Sequence, residues 1–330
     1  MSRDKKSISI AMCTCNGALY LAKQLESIMA QCHLPDEIVI IDDASDDGTP
    51  DILKKYARKF KSLYHVYYNK KRIGSTRNFV KAICRCQGDI IVLCDQDDVW
   101  VPEKLVRIKH HFDQNPHLGY VFSDALLVDE KLRSKQKTLW EHFQFDEKLR
   151  KKFREGYLKQ VEILLKREYI TGATLAINCH LKPFILSIPD HWIHDAWMVL
   201  LISALGYPGD FIEEQLVHYR IHPQQQIGLG KTEGRGLWGK IQLSLHMEFD
   251  PYEVKFDRLK SVMALLNRSD RLPEDTLALF REKLGHIRHR QHLHHLPCWQ
   301  RIPGVWKGLS KRYYHRFSNG WQSVGKDLFL

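Results

Sequence analysis

Asp95, Asp97 and Asp98 follow directly on the apolar run Ile90–Cys94. A short run of that kind reads as a buried strand, so its carboxylates emerge together at the C-terminal end. Crowded there without apolar partners, they repel one another and become tolerable when a divalent cation neutralises them. Oxygen ligands at a strand end suit Mg2+ or Mn2+, which keep open positions for the phosphate oxygens of a substrate.

Other polar groups stand at comparable places. Ser7 to Thr14 reads as a first strand that ends in the turn signal Thr14-Cys15-Asn16-Gly17, and Glu37 to Asp42 as a second that runs into Asp43. The segment Asp43-x-Ser45-x-Asp47-Gly48 approaches a calcium loop, but the twelfth position is Lys54 where such a loop needs a bidentate Glu, so calcium is not expected. Thr49 is instead placed to cap a helix beginning at Pro50. Beyond a third strand, His65 to Tyr68, come Lys70, Lys71 and Arg72 and then a helix from Ser75 with Arg77 and Asn78 in its first turn. Cations beside a helix N-terminus favour phosphate, although solvated basic loops also look like this.

Positioning these groups requires a particular architecture. Leu21, Leu25 and Ile28 are spaced for a helix between the first two strands, and the order strand, helix, strand, helix, strand, helix, strand implies a parallel sheet with covering helices. Ligands of such sheets sit outside the carboxyl ends of the strands, the edge that Thr14–Asn16, Asp42-Asp43 and the Asp95–Asp98 cluster would share.

Further along, Pro102 to Gln114 reads as a helix and Gly119 to Asp124 as a strand. Glu130 to Glu168 is charged and reads as a helical insertion near the acceptor side. Tyr169 to Asn178 has strand-forming residues around Gly172, whose lack of a side chain permits close backbone approach. His191-Trp192-Ile193-His194-Asp195-Ala196-Trp197 precedes an apolar helix, Met198 to Leu205. An Asp flanked by aromatics can bind sugar hydroxyls while the rings stack on sugar faces; a plain helix cap is the competing explanation.

Thr14-Cys15-Asn16, Ile41-Asp42-Asp43-Ala44-Ser45-x-Asp47-Gly48-Thr49, Gly74-x-x-Arg77-Asn78 and Asp95-Gln96-Asp97-Asp98-x-Trp100-x-Pro102 together resemble family 2 glycosyltransferases of the GT-A fold. Thr171-Gly172, His194-Asp195-x-Trp197 and Tyr219-Arg220-x-His222 extend the resemblance to about residue 228, although Cys15 stands where the family often has an aromatic and Pro223 to Gln226 replaces a segment often rich in asparagine. The wording is closest to bacterial rhamnosyltransferase-like enzymes of surface polysaccharide synthesis. The resemblance implies an α/β GT-A fold with a mainly parallel central sheet flanked by helices. It assigns donor binding to Thr14, Asn16, Asp42, Asp43, Arg77 and Asp95, and the metal, Mn2+ or Mg2+, to Asp97 and Asp98. Thr171, Gly172, His194 and Trp197 would bind the acceptor, Asp195 would be the catalytic base, and Arg220 and His222 would touch the diphosphate. A UDP- or dTDP-linked sugar is the implied donor, and a glycan or lipid-linked molecule the acceptor.

The whole chain bounds these readings. Its 330 residues, 44% hydrophobic and 27% charged, are an ordinary soluble composition. Residues 1–228 are expected to form the catalytic domain, with a nucleotide half (1–115) and an acceptor half (116–228), and 229–330 a basic helical extension. No signal peptide is evident, and the longest apolar run, Ala196 to Leu205, is half a bilayer span, which points to the cytoplasm or to its membrane face. Cys13-x-Cys15 and Cys84-x-Cys86 lack zinc spacing, so the cysteines read as reduced thiols. From Lys231 onward 18 basic residues face 10 acidic ones, which suits a polyanionic partner such as an anionic membrane; nucleic acid is not expected. Glycines between Gly228 and Gly239 suggest a linker, Phe256 to Leu266 and Leu277 to Ile287 helices, and His286 to His295 a basic solvated helix face. Nucleotidyl transfer would use the same acids but leave Asp195 idle, and a purely basic binding module would leave all of them idle.

Overall fold

The computed structural model describes residues 6–223, 225, 251–267 and 273–329. The expected linker at 228–239 lies outside them. The chain forms two compact units, residues 1–150, 169–202 and 207–231 in one and 151–168, 203–206 and 232–330 in the other. The segment 151–168 thus belongs with the C-terminal helices, whereas the sequence pattern suggested one cut near 228.

The first unit begins with β1 (Ile8–Thr14), α1 (Ala18–Met29), β2 (Glu37–Asp42), α2 (Thr49–Lys59), β3 (Tyr64–Tyr68), α3 (Ser75–Arg85) and β4 (Ile90–Cys94). After β5 (Val99–Trp100) come α4 (Lys104–Gln114), β6 (Tyr120–Val128), β7 (Ser134–Thr138), α5 (Leu139–Phe143) and α6 (Glu147–Phe153). Past α7 (Tyr157–Lys166), which belongs to the second unit, β8 (Leu175–Asn178), α8 (Lys182–Ile185), α9 (His194–Ala204) and β9 (Gly209–Arg220) follow.

The strands join in one sheet ordered β3-β2-β1-β4-β8-β6-β9-β5, with β7 alongside β6. The half β3-β2-β1-β4 is parallel, and β8 then pairs antiparallel to both β4 and β6. β4 is buried along its whole length, as is most of β1 and β2, which explains their nearly unbroken apolar runs. Leu21, Leu25 and Ile28 of α1 pack into that core. The order in which strands are added reverses between β1 and β4, the switch point where such sheets bind ligands. Register sets Thr14 beside Asp42 and Met12 beside Cys94, so all three strand ends deliver polar residues to one edge.

Several local expectations shift. Residues 130–168 are only partly helical, since Ser134–Thr138 pairs with β6. Only Leu175–Asn178 of the expected strand at 169–178 is a strand, and Gly172–Thr174 is a 3-10 turn. Thr49 does not cap α2 with its side chain; its hydroxyl instead accepts Gly17 N–H, while Asp47 receives Thr49 N–H. The twelve-residue β9 makes two register shifts against β6 and was not expected as a strand from the sequence.

In the second unit α7 accompanies α10 (Pro251–Leu266), α11 (Glu274–His294), α12 (Cys298–Ser310), α13 (Tyr313–Phe317) and α14 (Trp321–Phe329). Leu293, Val305, Tyr314 and Val324 form a core there. Asp327 is wholly buried and is held by Arg290, His294 and Tyr314. The histidine-rich stretch is therefore not a solvated face throughout: His286 is buried against Ser318, and His289 bonds the Gly304 carbonyl.

Candidate active site

The turn after β4 is anchored from two sides. Gln96 Oε1 accepts Cys15 N–H at 2.8 Å and its Nε2 donates to Cys15 O at 3.0 Å, tying the β4 end to the β1 end. On the other side Arg220 donates its backbone N–H to Asp98 Oδ1 (3.0 Å) and its Nε to the Asp97 carbonyl (2.6 Å). Its guanidinium lies 4.5 Å from the Tyr20 ring centre, and His222 packs on the same ring at 4.7 Å. Arg220 is 2% exposed, so it braces the acidic turn from within; only Nη2, buried without a hydrogen-bond partner, stays uncommitted.

Asp97 and Asp98 consequently differ. Asp97 Oδ2 lies 2.8 Å from His222 Nε2, and both side chains retain a little exposure. Asp98 is 1% exposed, and burial followed by the charges of Asp97 and Asp95 raises its pKa well above the usual carboxylate range. Its Oδ1 takes the Arg220 N–H of β9, while its Oδ2 is buried with no hydrogen-bond partner among the described residues. Asp95 is pushed up to about 7 by burial first and then by the charges of Asp97 and Asp195. Lys104 opposes this accumulation of charge: its ammonium, fully buried, donates to Ala173 O at 2.8 Å and acts on both Asp95 and Asp98. Burial lowers that lysine to about 8. Nothing in the sequence singled Lys104 out, because a lysine opening a helix reads as solvated.

Asp195 reaches the same neighbourhood from α9. Its charge acts on Asp95, and Tyr219 is raised by its burial and then by Asp98, Asp95, Asp97 and Asp195 together. Gly172 N–H donates to Asp195 Oδ2 at 2.8 Å and Ala196 N–H to Oδ1 at 2.7 Å, fixing the carboxylate's orientation. A Cβ on Gly172 would stand 2.9 Å from His194 Nε2, so the glycine permits this close approach.

The flanking residues are not an open acceptor wall. Trp197 is fully buried and donates its indole N–H to Ile185 O at 3.1 Å. His194 is 5% exposed and stacks on Phe79 at 4.2 Å, and burial lowers its pKa. Both are buried core residues flanking Asp195 in the sequence. Thr171 Oγ1 is buried next to them without a hydrogen-bond partner.

Among the expected donor residues, Thr14 and Asp42 are internal braces. Asp42, 1% exposed, accepts from Thr14 Oγ1, Ser45 N and Ser45 Oγ. Asp43 gathers the loop after β3, accepting from Asn69 Nδ2, Ile73 N and Gly74 N. Asn16, at φ 50°, exchanges two hydrogen bonds with Asp46. Arg77 is exposed and paired with Asp190 at 2.7 Å.

A GT-A site is expected to hold a divalent ion. Neighbouring ligands of an octahedral ion at 2.0–2.1 Å are about 3 Å apart, close to the spacing of Asp97 Oδ2 and His222 Nε2. Among the described residues no group of three or more His, Cys, Asp or Glu is arranged to hold a metal. With its remaining positions taken by water and substrate phosphate, an ion would fit the Asp97–His222 spacing.

Residues 9–170 match the family model Glycosyl transferase family 2. An uncharacterised protein of Mycobacterium tuberculosis, Rv1520, is 25% identical over 70% of this chain, which spans 63% of that relative's length. TuaG of Bacillus subtilis, a putative teichuronic acid biosynthesis glycosyltransferase, is 34% identical over 32% of this chain and 42% of its own. The fold resembles that of the mannosyltransferase PcManGT from Pyrobaculum calidifontis, solved with GDP-Man and Mn2+ (TM-score 0.55, 16% identity, 93% of this chain and 76% of that one).

Proposed function

Starting from a glycosyl transferase family 2 domain at residues 9–170, we propose that the protein is a metal-dependent, inverting glycosyltransferase. It moves a sugar from a nucleoside diphosphate to a glycan or lipid-linked acceptor in polysaccharide synthesis, at the cytoplasmic side of the membrane. Rhamnose is the first sugar to test. The observation that carries this reading is the convergence of two separate segments, the turn after β4 with Asp95 and Asp97 and the start of α9 with Asp195, on the surroundings of Tyr219.

A divalent ion on Asp97 and His222 would supply charge neutralisation for the departing diphosphate. Arg220 keeps Asp97 and Asp98 in place from behind, and Asp43 keeps the 69–74 loop in the form that meets the nucleotide. Asp195, oriented by the Gly172 and Ala196 amides, accepts the acceptor hydroxyl's proton as that oxygen attacks the anomeric carbon. Attack opposite the leaving group inverts the anomeric centre. Nucleotidyl transfer would have no use for Asp195.

The test is nucleotide release from UDP-, dTDP- and GDP-sugars with Mn2+, Mg2+ or chelator, followed by the anomeric configuration of the product. Release without metal, or retained configuration, refutes the mechanism; no release from any donor refutes the activity.

A further inference from the structure

Helix α12 turns an apolar face outward. Trp299 is 72% exposed, Ile302 59% and Trp306 73%, whereas Arg301, Val305 and Gly308 on the same helix are buried. Positions spaced by three and four residues lie on one side of a helix. Large apolar side chains aligned like this along a solvent face mark an interaction site.

The charge around this face says what would cover it. From Lys283 to Lys326 there is no Asp or Glu, while nine Lys or Arg occur. The acid that follows, Asp327, is wholly buried and held by Arg290, so no surface carboxylate arises from this stretch. Lys307, Lys311 and Arg312, at the end of α12 and just beyond, are exposed. Tryptophan and isoleucine on one face, bordered by cations in a stretch of chain without surface acids, match the boundary between anionic headgroups and acyl chains. A polyanion without an apolar phase would engage the cations but leave both tryptophans in water.

We propose that the outward face of α12, carried by Trp299, Ile302 and Trp306 and bordered by Lys307, Lys311 and Arg312, docks this protein on an anionic lipid bilayer. Among the described residues no helix is long and apolar enough to cross a membrane, so this is attachment in the plane of the interface. The proposal stands on the second unit alone and does not depend on which sugar is transferred.

Co-sedimentation of the full chain with vesicles tests it. Binding is expected to phosphatidylcholine vesicles containing a third phosphatidylglycerol, and to weaken at least tenfold on pure phosphatidylcholine. Each cation near an anionic surface contributes about fivefold to partitioning, so Lys307→Glu with Lys311→Glu should lower it by at least about 25-fold. Trp299→Ser, Ile302→Ser and Trp306→Ser combined should abolish binding with an unchanged circular dichroism spectrum; should that variant unfold, the charge pair decides. Absence of binding by the wild type, or binding indifferent to both sets of substitutions, overturns the proposal. So does a dimer in sedimentation velocity that the apolar substitutions dissolve, or equally tight RNA binding that they weaken.

Discussion

Asp97 Oδ2 and His222 Nε2 meet at 2.8 Å across a separation of 125 residues. The contact joins the end of the parallel half-sheet to the segment following β9, and the chain between them builds the rest of the first unit's sheet. Among the described residues His222 Nδ1 is buried without a hydrogen-bond partner, and Asp97 is the ring's one hydrogen-bond partner.

Removing either member of this pair should affect metal before fold. Asp97→Ala is expected to abolish turnover and the Mn2+ dependence of nucleotide binding. His222→Ala should weaken Mn2+ in the nucleotide complex by at least about 10-fold, since losing a ligand costs no less than losing a group that merely supports one. Calorimetric titration of Mn2+ into protein with UDP reads both; undiminished affinity in either variant contradicts the assignment.

Asp195→Asn keeps the shape of a carboxylate whose oxygens take the Gly172 and Ala196 amides, but it cannot accept a proton. We expect kcat to fall by about two to four orders of magnitude with donor affinity nearly unchanged. Near-wild-type turnover would place the base elsewhere, and lost donor binding would place Asp195 in the nucleotide site.

Gly17→Ala sets a Cβ about 2.1 Å from Gln96 Oε1. Swinging the flexible amide aside breaks both Gln96 bonds to Cys15, at about 1 kcal/mol each, so denaturant unfolding should show a loss of about 2 kcal/mol. Activity should fall further than that loss accounts for, because the acidic turn is freed on one side. A silent substitution would mean that Gln96 is not an anchor.

Asp43→Asn keeps the size of a side chain that accepts from Asn69, Ile73 and Gly74 but replaces one acceptor oxygen with an amide. The 69–74 loop should loosen, and the donor dissociation constant should rise while kcat changes little. Equilibrium binding of the nucleotide-sugar checks this; unchanged affinity confines Asp43 to a structural role.

Burial, with the charges of Arg290 and Lys283 behind it, lowers His286 to about 3. The unfolded imidazole titrates near 6.5, so between these values the unfolded chain holds the extra proton and acid favours unfolding. Stability from this group is complete above about pH 6.5 and declines below it, by up to about 1.4 kcal/mol per pH unit. Thermal unfolding from pH 7.5 to 5 should show the decline, and His286→Gln should flatten it. An equally steep decline in the variant would assign the effect to other groups.

The sequence by itself carried the parallel half-sheet, because buried parallel strands are unbroken apolar runs and their ends are punctuated by acids and glycines. It also singled out Asp95, Asp97, Asp98 and Asp195 as candidates, since they sit in short motifs of residue types able to do this chemistry. It could not apportion roles among them. Asp97 and Asp98 are neighbours in sequence, yet one faces His222 while the other is sealed against Arg220 N–H, a difference made by β9. Trp197 looked like a sugar platform but is core, because helical spacing does not say which face of α9 the sheet covers. Lys104 became a buried counter-charge only when the 3-10 turn at Gly172–Thr174 brought the Ala173 carbonyl over it. Burial and long-range pairing are properties of packed elements, and a local pattern of residue types contains neither.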